Sequence, residues 1–397
     1  MNSPKVIVIN LSSSGSRLGG AAIAAEYHSQ AINAIHPIEL WRMWDHEQIS
    51  HVGTLKIKNY KTTSKLARFK KILPKEIVSC FSESRILQDI LDDKPDIIHL
   101  QNPLPSLEFE KISFSASQAG IKVVASTHGF FEVMNPNYGL NIYQKIAWNH
   151  LVTKPIINSL QYLDGIISGY PQEKEILVRH GVPESKIRLV PNGVNPFFLQ
   201  SPTSNQLDST LSTFSISQNH PILLFIGNHT SNKGLDTVLK VASQLSRPVS
   251  VVIGGRLLYP EEPIYWKDKI TQPNNVNVIF TDFLSVEEQR VLYSLSTILL
   301  FPSLSDTLPL TILEAMASGL PVIAYDVGGI SYQLDNQAGE VVVEGNTEAF
   351  LKSVNYLIDH PNHREKLILN AKARQQKYFS WDSAAKETLK LYLELMN

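Results

Sequence analysis

At 397 residues the chain is long enough for two domains of ordinary size, each with its own core. A hydrophobic content of 43% excludes a disordered chain, and a formal net charge of −1 excludes a dedicated nucleic-acid binder while leaving room for a local basic patch. Cys80 is the single cysteine, which excludes an internal disulfide and reads as a structural thiol in a reducing compartment.

The N-terminal MNSPKVIVIN has no basic leader and runs straight into strand-like sequence, so it does not read as a signal peptide. No apolar run reaches the ~18 residues that a membrane-spanning helix needs. The expected location is the cytoplasm. The first strand, Val6–Leu11, leads into the loop SSSGSRLGG, where Gly19 and Gly20 precede a helix over Ala21–Ile32. Such a turn lets backbone approach a phosphate, and is also what any tight turn before a helix looks like.

From Lys56 to Lys75 there are eight Lys or Arg and no acid, with Leu66, Phe69, Ile72 and Leu73 at helical spacing. The segment predicts a basic amphipathic helix, either a solvated face or a peripheral contact with the inner, anionic face of a membrane. A helix is expected over Ser82–Leu91, and short β-branched runs follow at Asp96–Leu100, Lys122–Thr127, Gly165–Gly169 and Ile187–Pro191. They are apolar on both faces, as strands of a parallel sheet covered by helices are. His128 in STHGFF stands at a strand end, as do the more weakly signalled His99 and Asn102. Asn192–Gly193 closes the series, as a turn or as support for a site.

Residues 201–220 are polar and lack an apolar period, which predicts a junction between domains. A second α/β series follows, with strands at Ile222–Gly227, Ser250–Gly255, Asn277–Thr281, Thr297–Pro302, Pro321–Tyr325 and Gly339–Val343. The expected organisation is a doubly wound domain over 1–200, the junction 201–220, a second doubly wound domain over 221–376, and a final helix over 377–397. Ligands of such sheets bind outside the carboxyl ends of the strands.

Chemistry concentrates in PSLSDTLPLTILEAMASGLPVIAYDVGG, Pro302–Gly329. A loop carries Asp306, Thr307 is placed to cap, Pro309 falls at an early helical position, and the helix holding Glu314 stops at Gly319. The amides of Leu310 and Thr311 at the helix start suit a phosphate. Asp306 and Glu314 can each accept hydrogen bonds from sugar hydroxyls. In FIGNHTSNKGLD, after a strand, Lys233 and Gly234 stand where a cation would neutralise a diphosphate; the alternative is a solvated loop lysine.

These stretches resemble family-4 glycosyltransferases of the GT-B fold, whose two Rossmann-like domains face across a cleft. The resemblance covers most of the chain and is specific in the second half. It matches Asp306 and Glu314 to the family's E-x7-E acids, the first contacting the donor sugar and the second the ribose. Asp replaces the usual Glu at the first position, and TLPL stands where Gly-Phe-Gly is common. Asn228 occupies the position of an expected Arg, so that Lys233 carries the diphosphate with Asn228 as a neutral donor and Arg256 as a compensating cation. The resemblance further implies that Gly19 and Gly20 face the donor phosphate, that His128 lies by the reacting carbon, and that the last helix packs back on the first domain.

The implied activity is retaining transfer of a hexose-type sugar from a UDP- or GDP-sugar to a glycan or lipid-linked acceptor, in cell-surface polysaccharide or glycolipid synthesis. Neither cofactor nor metal is expected, since the chain has no D-x-D. A nucleotide-sugar epimerase of the same fold and a glycosyltransferase-like binding protein without turnover are the alternatives. A dehydrogenase is disfavoured, because neither domain opens with GxGxxG and its partner acid.

Overall fold

The computed structural model describes residues 3–11, 19–66, 75–130, 134, 141–257, 266 and 275–397. The chain divides into two compact units, Met1–Gly193 with Ser380–Asn397, and Val194–Phe379.

In the first unit the strands are β1 (Val6–Asn10), β2 (Ile38–Trp44), β3 (Gln48–Val52), β4 (Leu55–Lys61), β5 (Thr63–Ser64), β6 (Ser82–Glu83), β7 (Ile97–Gln101), β8 (Lys122–Ser126), β9 (Gly165–Ser168) and β10 (Ile187–Leu189). Eight of them form one sheet in the order β10-β9-β8-β7-β1-β2-β4-β3, and β5 pairs with β6. Only β3 is antiparallel in the large sheet. Every position of β1 and β7 is buried, which is why both read as unbroken apolar runs. Strand order reverses between these two, so their carboxyl ends flank the switch point of the sheet.

Part of the basic segment corrects its expectation. Lys56, Lys58 and Lys61 lie on β4, not on a helix: L-K-I-K-N-Y-K alternates, burying Leu55 and Ile57. Lys56 pairs with Glu39 at 2.8 Å, Lys58 with Asp89 at 2.6 Å and Lys65 with Glu83 at 3.0 Å. These cations are committed inside the unit, which weakens the case for a membrane face here. Residues 67–74, including Phe69, Ile72 and Leu73, lie outside the described residues.

The chain returns to the first unit at its end. The helix Trp381–Leu395 packs against the helix Gly20–Ile35, with His28 Nε2 2.9 Å from Thr388 Oγ1 and an ion pair between Arg188 and Glu394. At Gly193 the backbone approaches the start of the helix Trp381–Leu395 closely: a Cβ there would lie 2.2 Å from Trp381 N.

The second unit is a six-stranded parallel sheet: β11 (Ile222–Ile226), β12 (Val249–Gly254), β13 (Val276–Asp282), β14 (Ile298–Phe301), β15 (Val322–Tyr325) and β16 (Glu340–Val342), in the order β13-β12-β11-β14-β15-β16. Its switch point lies between β11 and β14. The expected junction at 201–220 is instead built into this unit as the helix Ser204–Phe214. Thr203 and Gln206 form a capping box, and Leu211 and Phe214 pack against the core. Capping and two well-spaced apolar residues hold a helix whose polar exterior hides its period. Among the described residues no helix is long and apolar enough to cross a membrane.

Candidate functional site

The second unit's switch point gathers the motif residues. After β11 the chain passes Asn228 and enters a 3-10 turn, Ser231–Lys233, which ends on Gly234 in the left-handed region at φ 79°. A Cβ at 234 would lie 1.9 Å from the carbonyl oxygen of Pro302, the residue that follows β14. Glycine therefore lets the two loops touch backbone to backbone. A second close approach fixes the far side of the Asp306 loop: at Gly328, φ 53°, a Cβ would lie 2.0 Å from Asp306 O, and Gly329 N donates to Thr307 O at 2.7 Å.

Held this way, Lys233 Nζ donates to both oxygens of Asp306 at 2.8 Å. The pair is partly exposed, with the lysine side chain 29% and the aspartate 16% accessible. It presents one cation and one carboxylate side by side at the carboxyl ends of β11 and β14.

The helix after Asp306 begins at Leu310, so Leu310 and Thr311 stand in its first turn with amides free of intrahelical partners. Two local expectations change. Pro309 occupies the N-cap position itself, and no side chain caps the helix, so Thr307 does not. Glu314 is one turn further in. Burial raises its carboxyl to about 7, and a hydrogen bond from the Tyr293 hydroxyl at 2.9 Å opposes that rise. Tyr293, raised well above its usual range by its own burial, was not legible in the motif; it arrives on the neighbouring helix, Val286–Leu295. Asn228 and Arg256 are exposed at the loops after β11 and β12, and neither hydrogen-bonds the Lys233–Asp306 pair.

The remaining expected residues belong to the first unit. Gly19 is the N-cap of the helix that starts at Gly20, and a Cβ at either position would meet nothing within 4 Å. Asn192 lies just before Gly193, half-buried. His128 follows β8 at φ 38°. Its Nε2–H donates to Gln101 Oε1 at 2.5 Å, and Gln101 Nε2 donates to His99 Nε2 at 3.2 Å. That leaves His99 Nδ1–H to donate to the Tyr392 hydroxyl at 2.6 Å. A buried relay thus runs from the last helix to the ring of His128, leaving the lone pair of His128 on Nδ1. Burial lowers His128 to about 4 and His28 to about 3, and holds His99 well below the usual histidine range, so all three rings are neutral near pH 7. A sequence signal for Gln101 existed: His99 and Gln101, two apart, are polar residues on one face of a wholly buried strand.

Comparison with known proteins meets this geometry in both units. The family model for group 1 glycosyl transferases matches residues 212–374, and that for glycosyltransferase family 4 matches residues 56–197. The second half of the chain thus matches the group 1 glycosyl transferases and the first half the family 4 enzymes, and the fold is GT-B. A sulfoquinovosyl transferase of Arabidopsis thaliana is 24% identical over 76% of this chain and 57% of its own length. An alpha-galactosylglucosyldiacylglycerol synthase of Streptococcus pneumoniae is 26% identical over 55% of this chain and 63% of its own. The chain therefore spans about 57–63% of the length of those two relatives. Among solved structures, a sucrose-phosphate synthase from Thermosynechococcus elongatus superposes with a TM-score of 0.76 at 19% identity over 99% of both chains. Anabaena HepE in complex with UDP-glucose gives 0.73 at 13% identity, over 98% of this chain and 99% of its own. At these identities the structures establish the fold alone.

Proposed function

We propose that the chain transfers a hexose-type sugar from a nucleotide-sugar donor, such as a UDP- or GDP-sugar, to a glycan or lipid-linked acceptor in the cytoplasm or at the inner face of a membrane. The transfer proceeds with retention and without a metal ion, in the synthesis of a cell-surface polysaccharide or glycolipid. The observation that carries this reading is the Lys233–Asp306 pair at the switch point of the second unit. Support also comes from two relatives: HepE was solved with UDP-glucose, and a synthase at 26% identity is named for a glycosylated diacylglycerol.

In this reading Lys233 and the amides of Leu310 and Thr311 meet the diphosphate, whose growing charge they offset as it departs. Asp306 accepts from sugar hydroxyls and Glu314 from the ribose. The bond between the anomeric carbon and the diphosphate oxygen breaks while the acceptor oxygen bonds that carbon from the same face. The acceptor's proton passes to the departing phosphate oxygen, so no protein nucleophile is used. His128 Nδ1 accepts from a sugar hydroxyl, Gly19 and Gly20 leave room for phosphate oxygens, and Asn228, Arg256 and Asn192 act as support. The first unit takes the acceptor.

The test is thermal denaturation against a panel of nucleotide sugars. A true donor at about 100-fold over Kd should stabilise the protein by ~2.7 kcal/mol. Lys233→Ala should weaken that donor's use at least roughly tenfold in kcat/KM. No shift with any nucleotide sugar, or unaltered kinetics in the variant, sinks the reading. NMR of the donor incubated without acceptor separates transfer from epimerisation, since only an epimerase converts the sugar.

A further inference from the structure

A near-continuous helical stretch in the first unit runs through the helix Ile142–Trp148, a π turn Asn149–Thr153, the helix Lys154–Ser159 and a 3-10 turn Leu160–Tyr162. Trp148, Val152, Ile156 and Leu160 recur every fourth residue and pack into the first unit's core. The outward face should then be polar, and it is not. Tyr143 is 80% exposed, Ile142 64% and Ile146 52%. Three large apolar side chains on one turn form a patch rather than scattered singles. Lys145 and Lys154 are exposed on the same stretch, with Lys154 Nζ 3.4 Å from His150 Nε2. From residue 133 to residue 163 the sequence contains no Asp or Glu. The carboxylate that approaches from the helix Ser106–Gln118, Glu110, is engaged by Asn158 Nδ2 at 3.0 Å.

We propose that this face rests on an anionic lipid surface, with Ile142, Tyr143 and Ile146 entering the headgroup region and Lys145 and Lys154 meeting lipid phosphates. Charge complementarity selects the occupant. Aliphatic side chains flanked by lysines and unaccompanied by acids match a surface that is negative outside and apolar beneath. Tyr143 suits the boundary between the two, with an apolar ring and a polar tip. The inference uses none of the residues assigned to the donor, so it stands or falls apart from the transfer reading.

Flotation of the full chain with phosphatidylcholine vesicles, with and without phosphatidylglycerol, tests it. Binding should require the anionic lipid. The double variants Ile142→Ser/Ile146→Ser and Lys145→Glu/Lys154→Glu should each lose roughly tenfold or more of it. All four positions are exposed, and an unchanged far-ultraviolet melting curve verifies that folding is intact. Wild type that ignores anionic vesicles, or variants that bind as wild type does, overturn the proposal. So does a wild-type dimer in sedimentation that both variants dissolve, because the face would then belong to a second copy of the chain.

Discussion

At Glu314 protonation and ligand binding draw on one carboxyl. Burial raises it from 4.5 to about 7, so the native state holds a proton that the unfolded chain releases across that window. The group is neutral to stability below the window, and its charging lowers stability as pH rises through it, by up to about 3 kcal/mol. Glu314→Gln should therefore match wild type near pH 4 and exceed it near pH 8, which urea titrations at the two pH values measure. The same change removes the acceptor proposed for the ribose. Nucleotide affinity, read by calorimetry, should fall roughly tenfold and no longer strengthen between about pH 6 and 8. The histidines carry the opposite sign. His28, His99 and His128 stay neutral in the native state, so below the ordinary histidine pKa the unfolded chain gains protons that the folded chain refuses. Stability should drop by about 1.4 kcal/mol per proton for each pH unit of acidification below about 6.5. An unfolding midpoint that does not move between about pH 7 and 5 would contradict these neutral rings. Asp306, Glu314 and Lys233 were visible in the sequence because local spacing carries them. The bond from His99 to Tyr392 was not, because it joins positions 293 residues apart.

The site loops work as elements only because glycine allows backbone to meet backbone. Gly234→Ala would force a Cβ to 1.9 Å from Pro302 O at a positive φ. It should destabilise the protein by more than about 2 kcal/mol in chemical denaturation and lower donor affinity together with stability. A free surface glycine would show neither effect. The strands flanking these loops were legible because a parallel strand covered on both faces is apolar throughout, as Ile222–Phe225 are. β2, β3 and β4 escaped for the converse reason: they lie toward one edge of their sheet, where alternation with Lys56 and Lys58 imitates a charged helix face. The helix Ser204–Phe214 escaped because its cap, rather than an apolar period, marks it.

On the scale of the whole molecule, the second unit is one uninterrupted segment with its own core, whereas the first is assembled from two distant pieces. Val194–Phe379 expressed alone should fold cooperatively and retain nucleotide binding within about tenfold, as calorimetry would report. Tyr392→Phe in the full chain should leave the buried His99 Nδ1–H unsatisfied and cost about 1–3 kcal/mol, measured by urea denaturation. The interrupted unit also imposes an order on birth at the ribosome. By the time residue 379 has emerged, everything the second unit requires is present, yet the first still lacks Ser380–Asn397, which carry Thr388 and Tyr392 to the polar groups waiting on the helix Gly20–Ile35 and on β7. A stop codon in the last few dozen bases would thus spare the segment made second and cripple the one made first.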